Sequence, residues 1–183
     1  MNKTNGSKIF LLDSCVIRRI ADNPNYLVAL NCRMDLSGAR ILISETAEFE
    51  IAKYGFNTDE IIDKLSSSID AEFSVVPLSH EVNVLALDLI ERYSPNLHWP
   101  DNLHMAFAMV NDAILLSCDR DLASCCEREG WRCVNPDVIT TSSNARFGRC
   151  FRKPRWRKIV DRELSVVATL KEQVTKIRWE VSA

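Results

Sequence analysis

Short apolar segments alternate with amphipathic ones along most of the chain, and this alternation predicts strands followed by helices. The apolar segments have no polar face, which is typical of strands that are covered on both sides. Strands are expected at residues 8–12, 40–43, 73–76, 113–116 and 131–134. Helices are expected near residues 16–21, 26–34, 45–53, 59–69, 79–90, 101–110 and 122–129. We therefore predict an α/β fold, a three-layer α/β/α sandwich around a parallel sheet of four to five strands.

The pattern changes near residue 140. A Ser, Thr and Asn stretch at 140–144 indicates a linker, a basic segment follows at 146–158, and apolar residues recur at helical spacing over 159–177. We therefore divide the chain into a domain at 1–140 and a C-terminal extension at 141–183, made of a basic linker and a helix. The apolar stripe of that helix is expected to pack on the domain or on a second chain.

Charge separates the same two parts. Residues 141–183 contain 11 Lys and Arg against 4 Asp and Glu, whereas residues 1–140 contain 12 against 21. An acidic domain with a basic extension indicates either a polyanionic partner or docking of the extension on the domain.

Composition excludes several classes of protein. With 46% hydrophobic and 26% charged residues, the chain has enough apolar side chains for a core, and no apolar run is long enough to span a membrane. The N-terminus does not resemble a signal peptide, so we expect a cytoplasmic protein. The seven cysteines are scattered and odd in number, which favours reduced thiols over disulfides. They contain no C-x-x-C motif, so a zinc site is not favoured.

Acidic residues lie at matching places along the predicted sheet. Asp13 ends the first strand, Asp119 and Asp121 follow the fourth, Asp101 begins the helix before the fourth, and Glu50 lies on the helix after the second. The carboxyl ends of parallel strands meet at one edge of a sheet, where binding sites form. We therefore expect four or five carboxylates to gather there.

A cluster of carboxylates requires neutralisation, because like charges a few Å apart repel strongly. Oxygen ligands favour Mg²⁺ or Mn²⁺, and such ions support phosphodiester hydrolysis. Taken one at a time, each acid also has a structural explanation: Asp13, Asp101 and either Asp119 or Asp121 occur where helix-capping residues are common. Their joint placement at strand ends favours the site.

Four blocks of this sequence occur in order along the chain. The first is an apolar strand followed by Asp and Ser, the second an acidic helix, the third a helix with Asp and His, and the fourth a turn with two Asp residues. They are residues 9–17 (IFLLDSCVI), 43–51 (ISETAEFEI), 100–108 (PDNLHMAFA) and 117–122 (SCDRDL). Together they resemble the blocks of PIN-domain nucleases, including VapC-type toxins.

This resemblance implies a metal-dependent endoribonuclease. Asp13, Glu50, Asp101 and Asp119 would hold Mg²⁺ or Mn²⁺, and Asp121 would support the ion directly or through water. RNA would be hydrolysed in line to leave a 5′-phosphate and a 3′-hydroxyl. The resemblance implies a toxin restrained by an antitoxin protein or an RNA-processing nuclease, and it allows a homodimer.

The sequence departs from the family pattern in the surroundings of the acids. Cys15 stands where Asn or Ser is frequent, and Ser117 stands where Thr is usual, so hydrogen bonds around the ligands are expected to differ. Glu48 competes with Glu50 for the second acidic position, and Glu50 is preferred for its spacing. His104 shares a helical face with Asp101, but we interpret it mainly as a packing residue.

The basic segment 146–158 interleaves cations with aromatic residues, which suits RNA phosphates and bases, or docking on the acidic domain. Its cations are Arg146, Arg149, Arg152, Lys153, Arg155, Arg157 and Lys158. The main alternative function is a catalytically inactive PIN-fold module that binds RNA or assembles with other chains. A phosphatase on a similar sheet is less favoured, because Cys15 stands where that chemistry requires a second Asp.

Overall fold

The computed structural model describes residues 8–137, which form an alternating series of parallel strands and helices. The strands are β1 (Ile9–Leu12), β2 (Arg40–Ser44), β3 (Glu72–Val76), β4 (Ile114–Leu116) and β5 (Cys133–Val134). The helices are α1 (Ser14–Asp22), α2 (Pro24–Met34), α3 (Glu45–Ala52), α4 (Thr58–Ser68), α5 (His80–Tyr93), α6 (Asp101–Val110) and α7 (Arg120–Arg128). The predicted order of strands and helices is confirmed.

All five strands are parallel, and their order across the sheet is β3-β2-β1-β4-β5. The central strand β1 pairs with β2 and with β4, so that Leu12 lies beside Ile43 and Leu116. The carboxyl ends of these three strands therefore meet at one edge. Asp13, the residue after β1, is placed at the middle of that edge.

Two apolar cores lie on opposite faces of the sheet. Phe10 and Leu12 point into a core that is closed by α1, α2, α3 and α4. Leu11, between them, points into a core that is closed by α5, α6 and α7. Because both faces are covered, β1 contains only apolar residues, and the predicted three-layer α/β/α sandwich is confirmed.

Polar residues at strand ends begin the next helices. Ser44, at the end of β2, caps α3, since its hydroxyl accepts a hydrogen bond from the Ala47 amide at 3.1 Å. The last strand is shorter than predicted. The Trp131 amide bonds to the Cys126 carbonyl instead, after Gly130 adopts a positive φ of 68° at the end of α7.

The predicted boundary at residue 140, the basic segment and the C-terminal helix lie outside the described residues and stay predictions. None of the helices within residues 8–137 is long and apolar enough to cross a membrane.

Candidate active site

Asp13 lies at the centre of the candidate site and is buried, with 4% of its surface exposed. Its Oδ2 accepts hydrogen bonds from the Ser117 hydroxyl and, at 3.2 Å, from the Cys15 thiol. The Ser14 hydroxyl donates to Oδ1 at 3.3 Å. Although Asp13 occupies the N-cap position of α1, its side chain does not cap that helix. Its carboxylate is instead directed into the site at the edge of the sheet.

Glu50, on α3, meets Asp13 through His104, on α6. The Nε2 atom of His104 donates to Glu50 Oε2 at 2.8 Å and lies 3.6 Å from Asp13 Oδ1. Its Nδ1 lies 3.4 Å from the hydroxyl of Ser44, at the end of β2. Three segments that are distant in sequence therefore contribute to one buried cluster.

Electrostatics change the protonation of His104. Burial by itself lowers the pKa of this fully enclosed ring, but the hydrogen bond to Glu50 and the negative charges of Asp13 and Asp101 outweigh burial. The net result is a raised pKa. The protonated ring is therefore favoured as a positive charge between carboxylates.

Asp101, at the first position of α6, shows that further carboxylates lie nearby. Burial and then repulsion from Asp119 and Asp13 raise its pKa to about 6, with Glu50 adding to the effect and His104 opposing it. Such a shift requires the charges to share a poorly solvated space. Asp101 and Asp119 therefore lie in the same electrostatic environment as Asp13 and Glu50.

Asp119 is linked to Asp13 through Ser117. The Ser117 hydroxyl accepts a hydrogen bond from the Asp119 amide at 3.0 Å and donates to Asp13 Oδ2. The departure from Thr therefore keeps the hydroxyl that the site uses. Asp119 also caps α7, because its Oδ1 accepts from the amides of Asp121 and Leu122 at 2.7 and 2.9 Å. For this residue the capping explanation and a place at the site both hold.

The other sequence predictions fall at the margin of the cluster or outside it. Asp121 is exposed on the first turn of α7. Glu48 is not among the candidate metal ligands of the described residues, whereas Glu50 is. The seven cations of the basic segment lie beyond residue 137, outside the described part.

His104 is the residue whose place in the site the sequence did not make clear. Its interpretation as a packing residue was incomplete: the ring is 1% exposed but also contacts both Glu50 and Asp13. The available signal was its position three residues after Asp101, which places it on the same helical face.

The donor set fits a divalent cation. Ligand atoms of Asp13, Glu50 and His104 all lie within 4.8 Å of one another. Carboxylate oxygens suit a hard cation such as Mg²⁺ or Mn²⁺, and Asp101 and Asp119 add negative charge beside them.

Two pairs of cations and aromatic rings lie on the surface near Glu50. The guanidinium of Arg18, on α1, stacks 3.9 Å from the ring centre of Tyr54, and the ammonium of Lys53 lies 4.4 Å from that of Phe49. Tyr54 and Phe49 are 60% and 64% exposed. Phe49, Lys53 and Tyr54 lie within four residues of Glu50, on and just after the helix that carries it.

Comparison with solved structures supports the fold. A toxin–antitoxin complex from Klebsiella pneumoniae is similar to the chain at a TM-score of 0.51 and 18% identity, covering 69% of this chain and 97% of the other. VapBC-1 from nontypeable Haemophilus influenzae is similar at a TM-score of 0.52 and 14% identity, covering 70% and 98%. A comparison with curated proteins finds no match. Identities this low show a shared fold alone.

A protein-family model matches the part of the chain that carries the acidic cluster. The model of the PIN domain matches residues 10–127, which include all five acids and His104. Proteins of this family are generally nucleases, and they typically use divalent metals. The chain belongs to the PIN domain family.

Proposed function

We propose that this chain is a divalent-metal-dependent endoribonuclease that hydrolyses RNA phosphodiester bonds. The observation that carries the proposal is the convergence of Asp13, Glu50, Asp101 and Asp119 at one edge of the sheet. Their mutual repulsion contributes to the raised pKa of Asp101, about 6. Carboxylates crowded in this way repel one another, and a cation removes that repulsion.

Asp13 and Glu50 would hold the cation, with Asp101 and Asp119 as further ligands and Asp121 at the outer margin. When bound, Mg²⁺ or Mn²⁺ would stabilise negative charge on the scissile phosphate and increase the acidity of water. The protein side chains orient this site. Ser117 and Cys15 fix the Asp13 carboxylate through hydrogen bonds, and Ser44 lies against the His104 ring that contacts Glu50.

An RNA substrate is supported by the surface around Glu50. Unpaired bases stack on exposed aromatic side chains, and cations near those side chains contact phosphates. The Arg18–Tyr54 and Lys53–Phe49 pairs supply both chemistries within reach of the acids. We expect a single-stranded segment to lie across them. The basic segment at 146–158 would add phosphate contacts.

A protein partner is part of the proposal. Two of the similar structures are a toxin–antitoxin complex and VapBC-1, so an antitoxin that restrains the nuclease is the partner we propose. We also propose a cytoplasmic location, where RNA is accessible, and association as a homodimer.

A second function is favoured by His104. Its raised pKa favours a protonated ring, which would place positive charge between Glu50 and Asp13. A site neutralised by its own histidine is compatible with a PIN-fold module that binds RNA without cleaving it. The two functions differ in turnover and in their dependence on the metal.

Incubation of the full chain with a panel of labelled RNAs distinguishes the two functions. We expect cleavage with Mg²⁺ or Mn²⁺, none with a chelator, and products that carry a 5′-phosphate. D13N should reduce cleavage by about 10² to 10³-fold, whereas E48Q changes an acid on α3 outside the candidate ligand group and should leave cleavage unchanged. RNA binding without cleavage in either metal, with a correctly folded chain, would exclude the nuclease and leave the binding module.

A further inference from the structure

Two cysteine residues lie in contact beside Asp13. Cys15 lies in the first turn of α1, and Cys118 follows β4, so 103 residues separate them along the chain. They meet because β1 and β4 are paired, with Leu12 beside Leu116. The sheet therefore places together two thiols that the proposed reaction does not use.

The contact is close. The amide of Cys118 donates to the sulfur of Cys15 at 3.2 Å. With an N–Cα bond of about 1.5 Å, the Cα of Cys118 lies within about 5 Å of the Cys15 sulfur. The Cys15 sulfur therefore lies beside the backbone that carries the Cys118 thiol, which is the proximity that an S–S bond between them needs.

The environment of this pair differs from that of a second pair of thiols. Cys15 and Cys118 are both half-buried, so a small oxidant in solvent can reach them. Cys126 and Cys133 are also neighbours, but Cys126 is fully enclosed in the core. The second pair therefore serves as an internal control for access.

We propose that Cys15 and Cys118 form a peroxide-sensitive dithiol site whose disulfide disturbs Asp13 and weakens the candidate metal site. The first part stands on the contact between the two cysteine residues. The second part rests on the proposed function, since it assigns Asp13 to the metal.

The reaction consumes one hydroperoxide. One thiol sulfur attacks a peroxide oxygen, the O–O bond breaks, and one water leaves as a sulfenic acid forms. The second sulfur then displaces the hydroxyl of the sulfenic acid, which takes up the remaining thiol proton and leaves as a second water. Overall, two thiols lose two electrons and two protons to the peroxide, and one S–S bond forms. A dithiol reductant reverses the change.

The effect on Asp13 follows from one hydrogen bond. In the reduced protein, the Cys15 thiol donates to Asp13 Oδ2 at 3.2 Å. A disulfide sulfur has no hydrogen to donate, so this bond is lost and Ser117 alone holds Oδ2. Loss of a hydrogen bond to a metal ligand typically costs about tenfold or more in metal affinity.

The test treats the full chain with a small excess of hydrogen peroxide and maps its peptides by mass spectrometry without reduction. We expect one linked peptide pair that contains Cys15 and Cys118, lacks two hydrogens and separates after dithiothreitol. Titration with Mn²⁺ alone, followed by calorimetry, should show about tenfold weaker binding in the oxidised protein and recovery on reduction.

The variants C15S and C118S should form no such linkage, and their Mn²⁺ affinity should not respond to peroxide. The matched control C32S removes an exposed thiol elsewhere and should behave as the parent chain. Linkage at Cys126–Cys133 instead, or oxidation of Cys15 without a partner, would overturn the dithiol site. A mapped Cys15–Cys118 disulfide that leaves the Mn²⁺ affinity unchanged would overturn its effect on the metal site.

These readouts do not require RNA cleavage. If the chain binds Mn²⁺ and forms the linkage but cleaves no RNA, the proposed nuclease fails and the dithiol site stands. If RNA is cleaved and no linkage forms, the dithiol site fails and the proposed nuclease stands.

Discussion

The acidic cluster has an inner half, Asp13 and Glu50, and an outer half, Asp101 and Asp119. The two halves accommodate their negative charge differently. In the inner half, Asp13 and Glu50 share the buried ring of His104, which lies 3.6 and 2.8 Å from them. In the outer half, Asp101 and Asp119 repel each other, and this repulsion adds to burial in raising the pKa of Asp101 to about 6. His104 compensates the negative charge of the inner half, whereas the carboxylates of the outer half repel each other.

This difference indicates where a cation has most to contribute. In the inner half, a divalent ion competes with the protonated His104 for the same carboxylates. In the outer half, the ion relieves a repulsion that the fold otherwise sustains. The raised pKa of Asp101 is therefore the feature that most favours a functional site over a purely structural one.

The largest effect on RNA cleavage is expected when one charge is removed from either half. D13N in the inner half and D101N or D119N in the outer half each keep the shape of the side chain but weaken its binding of a cation. We expect each to reduce the rate of RNA cleavage by about 10² to 10³-fold, because transition-state charge loses its stabilisation. Single-turnover cleavage in Mg²⁺ measures this, with E48Q as the control. Undiminished cleavage in any two of the three variants would overturn the mechanism.

The chain should lose stability when the histidine of the inner half is removed. H104A leaves a cavity in a fully buried position and leaves Glu50 without its 2.8 Å partner. We expect the free energy of unfolding to fall by about 2 to 4 kcal/mol, measured by urea denaturation at neutral pH. The matched change H98A, at an exposed histidine, should alter stability by less than about 0.5 kcal/mol. Equal effects of the two variants would mean that the inner pairing does not stabilise the fold.

The outer half should gain stability when its repulsion is removed. Folding raises the pKa of Asp101 from 3.8 to about 6, so the folded state binds the proton more tightly. Stability therefore falls as the pH rises between these values, and the loss is complete above about 6. Without divalent metal at neutral pH, D101N should be more stable by about 1 kcal/mol, after solvent screening of this half-buried group.

Thermal unfolding of D101N and the parent chain at pH 4 and pH 7 checks this prediction. The gain should be present at pH 7 and small at pH 4, where Asp101 is protonated in the folded state and close to half protonated in the unfolded state. Saturating Mn²⁺ should reverse the order of stability at pH 7, since only the parent keeps the full ligand set. A D101N chain that is less stable than the parent at pH 7 without metal would contradict the repulsion.

The smallest effect is expected at the margin. Asp121 is exposed on α7, so D121N should change stability by less than about 0.5 kcal/mol. A contribution through water should leave cleavage reduced by about tenfold at most. The same kinetic assay, with E127Q as an exposed control on α7, measures the difference. A loss as large as that of D119N would place Asp121 in the outer half as a direct ligand.

The sequence determined the architecture and the general place of the acids. An apolar run such as 9–12 has no polar face, so both of its faces need to be covered. The alternation of such runs with helices leads to a parallel sheet. The positions of Asp13 directly after β1 and of Asp119 three residues after β4 then bring them to one edge. The helix cap at Ser44 was also predictable, because it depends on residues within one turn.

Only the tertiary structure decided which side chains touch. The placement of His104 between Glu50 and Asp13 depends on how α3 and α6 pack around β1. The contact of Cys15 with Cys118 depends on the pairing of β1 with β4. A pattern along the chain fixes which face a residue occupies, but distances of a few Å between separate segments, and the pKa shifts that follow, are set by packing in three dimensions.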